Sequence, residues 1–232
     1  SSVPQAVRAL GAPPVRTVMI SHADTDHYSA LLDAAGPIGV RSVITTKQFL
    51  ENAARETDGA SAFLLRELKA RGIEVSMVTR GDTISVGNVV MEVLWPPGDK
   101  EFARDNDASI VLLAHIPADD GERTFLLTGD IEREAMDGMM PSLRGERIDA
   151  MEAPHHGSAR DFAADFVKSL DPGVVMQSTG FTRLDDPRWA DVREGRAWFV
   201  TARDGAISVR FGKDGRVSAE AFRGEHGASL PD

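Results

Sequence analysis

Six consecutive residues, His22-Ala23-Asp24-Thr25-Asp26-His27, carry two imidazoles and two carboxylates. These side chains bind divalent cations. They follow Val15 to Ile20, a short apolar run rich in β-branched residues that reads as a buried strand. In an extended segment, side chains at i, i+2 and i+4 point the same way. The spacing therefore predicts that His22, Asp24 and Asp26 converge while His27 points elsewhere. One loop could then serve two cations, as two-metal hydrolases require. The bland alternative is a solvated acidic loop capping the next helix.

Three further segments carry similar chemistry. Thr128-Gly129-Asp130 closes the apolar run Phe125-Leu126-Leu127. A carboxylate there can approach a metal, or cap the helix that starts at Ile131. His155-His156-Gly157-Ser158 follows another strand-like run. One histidine could bind metal while the other orients or protonates a substrate. The alternative is two surface histidines at a turn. Asp105-Asn106-Asp107-Ala108-Ser109 is, taken alone, a turn signal.

The elements that must position these residues alternate between strand and helix. Strands are read at Val15–Ile20, Val40–Thr46, Ile73–Val78, Ser109–Ile116, Arg123–Gly129, Ile148–Ala153 and Gly173–Ser178. Helices are read at 27–35, closed by Gly36-Pro37, and at 48–55, 60–71, 131–140 and 161–170. Residues 83–97 read as a hairpin turning at Gly87-Asn88. Three strands close the chain: AWFVT, AISVRF and VSAEAF. This alternation implies an α/β architecture with helices covering sheets.

Composition narrows the chemistry. The chain has 232 residues, 42% hydrophobic and 27% charged, which excludes a disordered chain. With no cysteine, a thiolate nucleophile, a Cys-type zinc finger and an iron–sulfur cluster are all excluded. Any metal must be held by His, Asp, Glu or Asn. A net charge of -10 argues against coating nucleic acid by charge alone. Bound cations can invert the local field of a carboxylate-rich site.

Taken in order, the four segments resemble a known family. The chain resembles the metallo-β-lactamase fold and, more narrowly, the C-terminal metallohydrolase domain of the ComEC/Rec2 competence DNA-uptake proteins. The motifs are Ser21-His22-x-Asp24-x-Asp26-His27, Asn106-x-x-Ser109, Gly129-Asp130 and Pro154-His155-His156-Gly157-Ser158. The resemblance covers about Val7 to Phe211. It implies an αββα sandwich of α/β (α+β) class, with residues 1–232 forming one hydrolase domain. The family's glycine-rich opening strands have no counterpart here, so the chain is expected to be a fragment of a longer one. Ser178-Thr179-Gly180 matches a family segment, but the histidine that follows in the family is replaced by Asp185-Asp186-Pro187.

The resemblance also implies roles. His22 and Asp24 would hold one metal, and Asp26 and His27 the second. Asp130 would bridge them, and one of His155 and His156 would complete the second site. Asp24 and Asn106 stand where the wider fold has histidines. These harder oxygen ligands shift preference from zinc toward manganese or magnesium. Two divalent ions, zinc or manganese, are expected. Asn106, Ser109, Ser158 and Ser178 are candidate substrate or weak metal contacts. The implied activity is a phosphodiesterase or nuclease acting on single- or double-stranded DNA through a metal-activated hydroxide. Asp26, Asp130, His155 and His156 would be the catalytic residues. Alternatives are a hydrolase of a small ester or phosphodiester, or a degenerate non-catalytic domain. A ComEC-like fragment would be attached to a membrane channel domain; a stand-alone hydrolase would be cytoplasmic.

Overall fold

The computed structural model describes residues 3–158, 160–223 and 227–229. It divides into two compact units. Unit 1 comprises residues 1–80 and 96–110, and unit 2 comprises 81–95 and 111–232.

Unit 1 is a parallel sheet with helices. Its elements are α1 (Val3–Ala9), β1 (Thr17–Met19), α2 (Leu31–Ile38), β2 (Ser42–Thr45), α3 (Lys47–Arg55), α4 (Ala60–Ala70) and β3 (Glu74–Met77). The strand order is β1-β2-β3, parallel throughout. Ile20, Val43, Phe49, Leu64 and Leu68 form its buried core. Two helix ends show how sequence signals were met. Thr46 caps α3, its hydroxyl accepting from the Phe49 N–H at 3.2 Å. Helix α2 runs past the Gly36-Pro37 stop read from the sequence, with Pro37 inside its last turn. Gly39, at φ 88°, ends it instead, in the left-handed conformation that glycine adopts without a steric penalty.

Unit 2 contains β4 (Thr83–Val86), β5 (Val89–Trp95), β6 (Val111–Ala118), β7 (Gly121–Leu127), α5 (Arg133–Leu143), β8 (Ala150–Glu152), the single turn α6 (Pro154–Gly157), α7 (Asp161–Leu170), β9 (Val174–Gln177), α8 (Ala190–Arg193), β10 (Ala197–Val200), α9 (Thr201–Asp204), β11 (Ile207–Phe211), β12 (Val217–Ala221) and β13 (Gly227–Ser229). A seven-stranded sheet has the order β10-β9-β8-β7-β6-β5-β4. Strands β4 to β7 pair antiparallel; β7, β8, β9 and β10 pair parallel. The parallel strands β9 (VVMQ) and β10 (AWFV) are near-continuous apolar runs, as strands covered on both faces must be. A second sheet, β11-β12-β13, packs on it through Ala150, Val174 and Phe199 against Val217 and Ala219.

That topology places chemistry. Successive parallel strands β7, β8 and β9 all end at the same edge of the sheet. The segments leaving those ends begin at Thr128, Ala153 and Ser178. They carry Asp130, the two histidines and the Ser178 carbonyl.

Candidate functional site

In unit 1, the loop after β1 is not extended. Residues Thr25–His27 form a 3-10 turn that starts at Asp24, with the His27 N–H donating to the Asp24 carbonyl at 3.0 Å. This corrects the alternation expected from sequence. The turn folds His27 back beside His22, and their ring centroids are 4.1 Å apart. A second tie fixes the loop: the Ile110 N–H donates to the Ser21 carbonyl at 2.9 Å.

One hydroxyl serves both rings. Ser21 Oγ lies 3.0 Å from His22 Nδ1 and 3.1 Å from His27 Nδ1. Ser109 Oγ lies 3.3 Å from His22 Nδ1. A serine oxygen has two lone pairs, so Ser21 can accept from both Nδ1–H groups. That tautomer leaves both Nε2 atoms with lone pairs for a metal. A metal-binding histidine is commonly held this way, its other nitrogen tied to a neighbour. His22 Nε2 is 3.5 Å from Asp24 Oδ2, and His27 Nε2 is 3.8 Å from Asp26 Oδ2. Ser109 is fully buried beside the His22 ring. The segment leading to it is anchored by Asp105, whose Oδ1 accepts from Gln48 Nε2 at 2.7 Å and Asn52 Nδ2 at 2.8 Å. Asn106 is partly buried within that segment.

In unit 2, the histidines sit on a strained turn. His155 and His156 have φ of 48° and 55°, and Gly157 follows at 71°. Two adjacent non-glycine residues in the left-handed region are costly, about 1–3 kcal/mol each. The surroundings over-determine the turn. The His155 N–H donates to the Gly129 carbonyl at 3.0 Å, and the Ser158 N–H returns to the His155 carbonyl at 2.8 Å. Trp189, fully buried, donates through Nε1 to the Gly157 carbonyl at 2.9 Å. A Cβ on Gly157 would lie 2.3 Å from Gln177 Nε2, so glycine is required for space as well as φ. Gln177 is itself fully buried, its Oε1 accepting from Trp198 Nε1 at 2.9 Å and Arg193 Nη2 at 3.2 Å.

The two rings differ in surroundings. His156 Nδ1 lies 3.1 Å from the Ser178 carbonyl. A carbonyl only accepts, so Nδ1 carries the proton and Nε2 the lone pair. That Nε2 is 3.4 Å from Asp130 Oδ2. His155 points its Nδ1 at Glu132, 3.6 Å away, with Nε2 3.9 Å from Asp130 Oδ2. Asp130 is not the helix cap; Glu132 holds that position on α5. Glu152, at the end of β8, accepts from the Gly129 N–H at 3.4 Å. Desolvation pushes its carboxyl above the ordinary value of 4.5; the Gly129 hydrogen bond opposes this, and the Asp130 charge adds to it. Ser158 follows the turn and Ser178 is exposed at the end of β9.

The donor set of each unit fits a divalent cation. Two ligands about 2.0–2.2 Å from one ion at a tetrahedral angle lie about 3.3–3.6 Å apart. The His22–Asp24 and His156–Asp130 separations fall in that range. The five imidazole–carboxylate distances at these two turns exceed ordinary hydrogen-bond length.

Sequence reasoning missed Glu132, Glu152 and the seat formed by Gln177, Trp189 and Trp198. Gln177 carried one signal: it is a polar residue in the apolar run Val174 to Gln177.

Solved structures similar to the chain include the class B3 di-zinc metallo-β-lactamase LRA-12 from an Alaskan soil metagenome, at 14% identity, covering 73% of this chain and 75% of that one, with a TM-score of 0.44. A diphosphatase from the PhnP family is similar at 13% identity, 75% and 63% coverage and a TM-score of 0.42. The chain itself has a mixed α/β fold. Among curated proteins it is similar to ComE operon protein 3 of Bacillus subtilis (strain 168), 23% identical over 172 residues. That match spans 74% of this chain and 21% of that protein, about a fifth of its length. No family model matches the chain. Among the described residues, no helix is long and apolar enough to cross a membrane.

Proposed function

We propose that this chain is a metal-dependent phosphodiesterase that cleaves DNA, in the manner implied by its likeness to the competence DNA-uptake domain. One observation carries the reading. Imidazole–carboxylate pairs stand at ligand spacing at strand ends, in the motif order of that family, each set held by non-ligand neighbours. The resemblance implies two divalent ions, zinc or manganese. His22, Asp24, Asp26 and His27 would supply ligands from unit 1, and Asp130 and His156 from unit 2.

When bound, such cations acidify water and screen charge on a phosphoryl oxygen. The chain's own residues do the rest. With Ser21 as acceptor, it and the Ser178 carbonyl would hold protons on Nδ1 of His22, His27 and His156, leaving the lone pair of each ring on Nε2. His155 faces Glu132, and this pair is suited to deliver a proton to a leaving oxygen at the turn. No covalent intermediate is needed, consistent with the absence of cysteine.

The test is cleavage of end-labelled single- and double-stranded DNA with added Mn²⁺ or Zn²⁺. Cleavage is expected to need the metal and to fall to background in Asp130→Ala and Asp26→Ala. Full activity in a folded Asp130→Ala variant would sink the assignment. No cleavage by the folded, metal-loaded parent would sink the nuclease reading and favour a small substrate.

A further inference from the structure

Beside the histidine turn, the segment after β9 presents an aromatic ring that the metal chemistry does not use. Phe181–Arg183 is a 3-10 turn, and Phe181 is 75% exposed. A single exposed phenylalanine is ordinary on a protein surface. This one differs in how firmly its carrier is held, and to what. The Arg183 Nη1 donates to the His155 carbonyl at 3.3 Å, so the guanidinium sits at the histidine turn itself. Arg193 Nη2 donates to the Leu184 carbonyl at 2.8 Å. Gln177 Nε2 donates to the Arg183 carbonyl at 3.4 Å. On the near side, Thr201 Oγ1 accepts from the Thr179 N–H at 2.9 Å and donates to the Thr179 carbonyl at 3.0 Å. The Ser178 carbonyl meets His156 Nδ1. A loop pinned on both flanks therefore shows an apolar ring to water within two residues of an arginine that touches the candidate catalytic turn.

We propose that Phe181 and Arg183 form a contact for one unstacked nucleotide of a single-stranded nucleic acid, the ring stacking on the base and the guanidinium taking the adjoining phosphate. The proposal rests on the phosphodiesterase reading above. Base and phosphate alternate along a strand, and an aromatic two residues from an arginine in one turn offers one partner to each. Within a duplex the base faces are already stacked, so the ring discriminates in favour of single strands and open ends. The overall charge of -10 makes this more pointed. An acidic surface gains little from counterion release, whereas stacking does not depend on net charge. Because the loop is fixed before the strand arrives, little ordering entropy is lost on contact.

The test is equilibrium binding by fluorescence anisotropy, in chelator so that the strand stays intact. Two probes are compared: a labelled single-stranded oligonucleotide, and the same backbone with abasic residues. The parent is expected to bind the base-bearing strand more tightly. Phe181→Ala should weaken that binding roughly 10-fold, the scale of one lost stacking contact. It should leave abasic binding unchanged, while Phe181→Trp keeps the preference. The melting temperature should not move, because the ring is exposed. Equal binding of the base-bearing strand by parent and Phe181→Ala would overturn the proposal, as would a parent indifferent to the bases. Either result, from a protein that still cleaves DNA with metal, leaves the phosphodiesterase reading standing. A parent that binds as expected but cleaves nothing when metal-loaded would instead sink that reading.

Discussion

The two units fix their histidines by different physics. In unit 1 the His22 and His27 rings are set by side chains: Ser21 meets both Nδ1 atoms and the buried Ser109 supports one of them. The backbone there needs no unusual conformation. In unit 2 the backbone itself is the device. His155, His156 and Gly157 hold positive φ in succession, seated on Gln177 and Trp189. A hydrogen bond orients a ring at a cost of about 1 kcal/mol if lost. A strained turn orients everything it carries, but only while its seat is intact. The first arrangement should fail gradually and the second cooperatively.

The largest expected effect separates the two adjacent histidines of the strained turn. His156→Ala should lower the bound-metal stoichiometry read by elemental analysis, because its Nε2 faces Asp130 and its Nδ1 is fixed. His155→Ala should keep its metal while turnover falls about 10²–10⁴-fold, the usual worth of a general acid. The reverse pattern would exchange the two roles.

Next in size is Gly157→Ala. The new Cβ meets Gln177 and the φ is unfavourable, a combined cost of about 2–4 kcal/mol. The melting midpoint should drop by roughly 10 °C. A change near zero would mean that the turn is not held by its seat.

Ser21→Ala should leave the fold nearly as stable but weaken metal affinity about 10- to 100-fold, as removal of a ligand's partner does. Competition with a chromophoric chelator measures this. An unchanged affinity would show that Ser21 does not set the tautomers.

The smallest effect belongs to Glu152. Its carboxyl is pushed up, so the folded state holds a proton that the unfolded state releases first. Stability is therefore lost as pH rises from the ordinary value through the raised one, and the cost is absent below both. In chelator, Glu152→Gln should be more stable than the parent at neutral pH, with the gap closing toward pH 4 in urea midpoints. A gap that does not change with pH would contradict the shift.

Much of this molecule was legible in its residues. Every strand of the β1-β2-β3 sheet and of the seven-stranded sheet lies within or beside an apolar run, because each buries at least one face. Boundaries were less legible: Pro37 and Pro141 stand inside helical turns rather than ending them, since packing outweighs the one lost hydrogen bond. The ligand types at His22 to His27, Asp130 and His155-His156 could be picked out because imidazoles and carboxylates cluster there against apolar flanks. Their geometry could not. Alternation predicted that His27 would turn away from His22; the 3-10 turn brings it back.

The sequence alone thus determined most of the longer elements and which residues carry side chains of metal-ligand type, because periodicity and side-chain chemistry are local properties; the short helices α8 and α9 were not read from it. Only the tertiary structure decided that Ser21 serves two rings, that Asp130 leaves the helix cap to Glu132, and that His156 rather than His155 has its Nδ1 fixed by a carbonyl. Each of those outcomes depends on where the chain crosses itself: on β7, β8 and β9 ending side by side, and on Ile110 returning to Ser21. Such meetings are set by the packing of residues far apart in the chain, and no short window of sequence contains them.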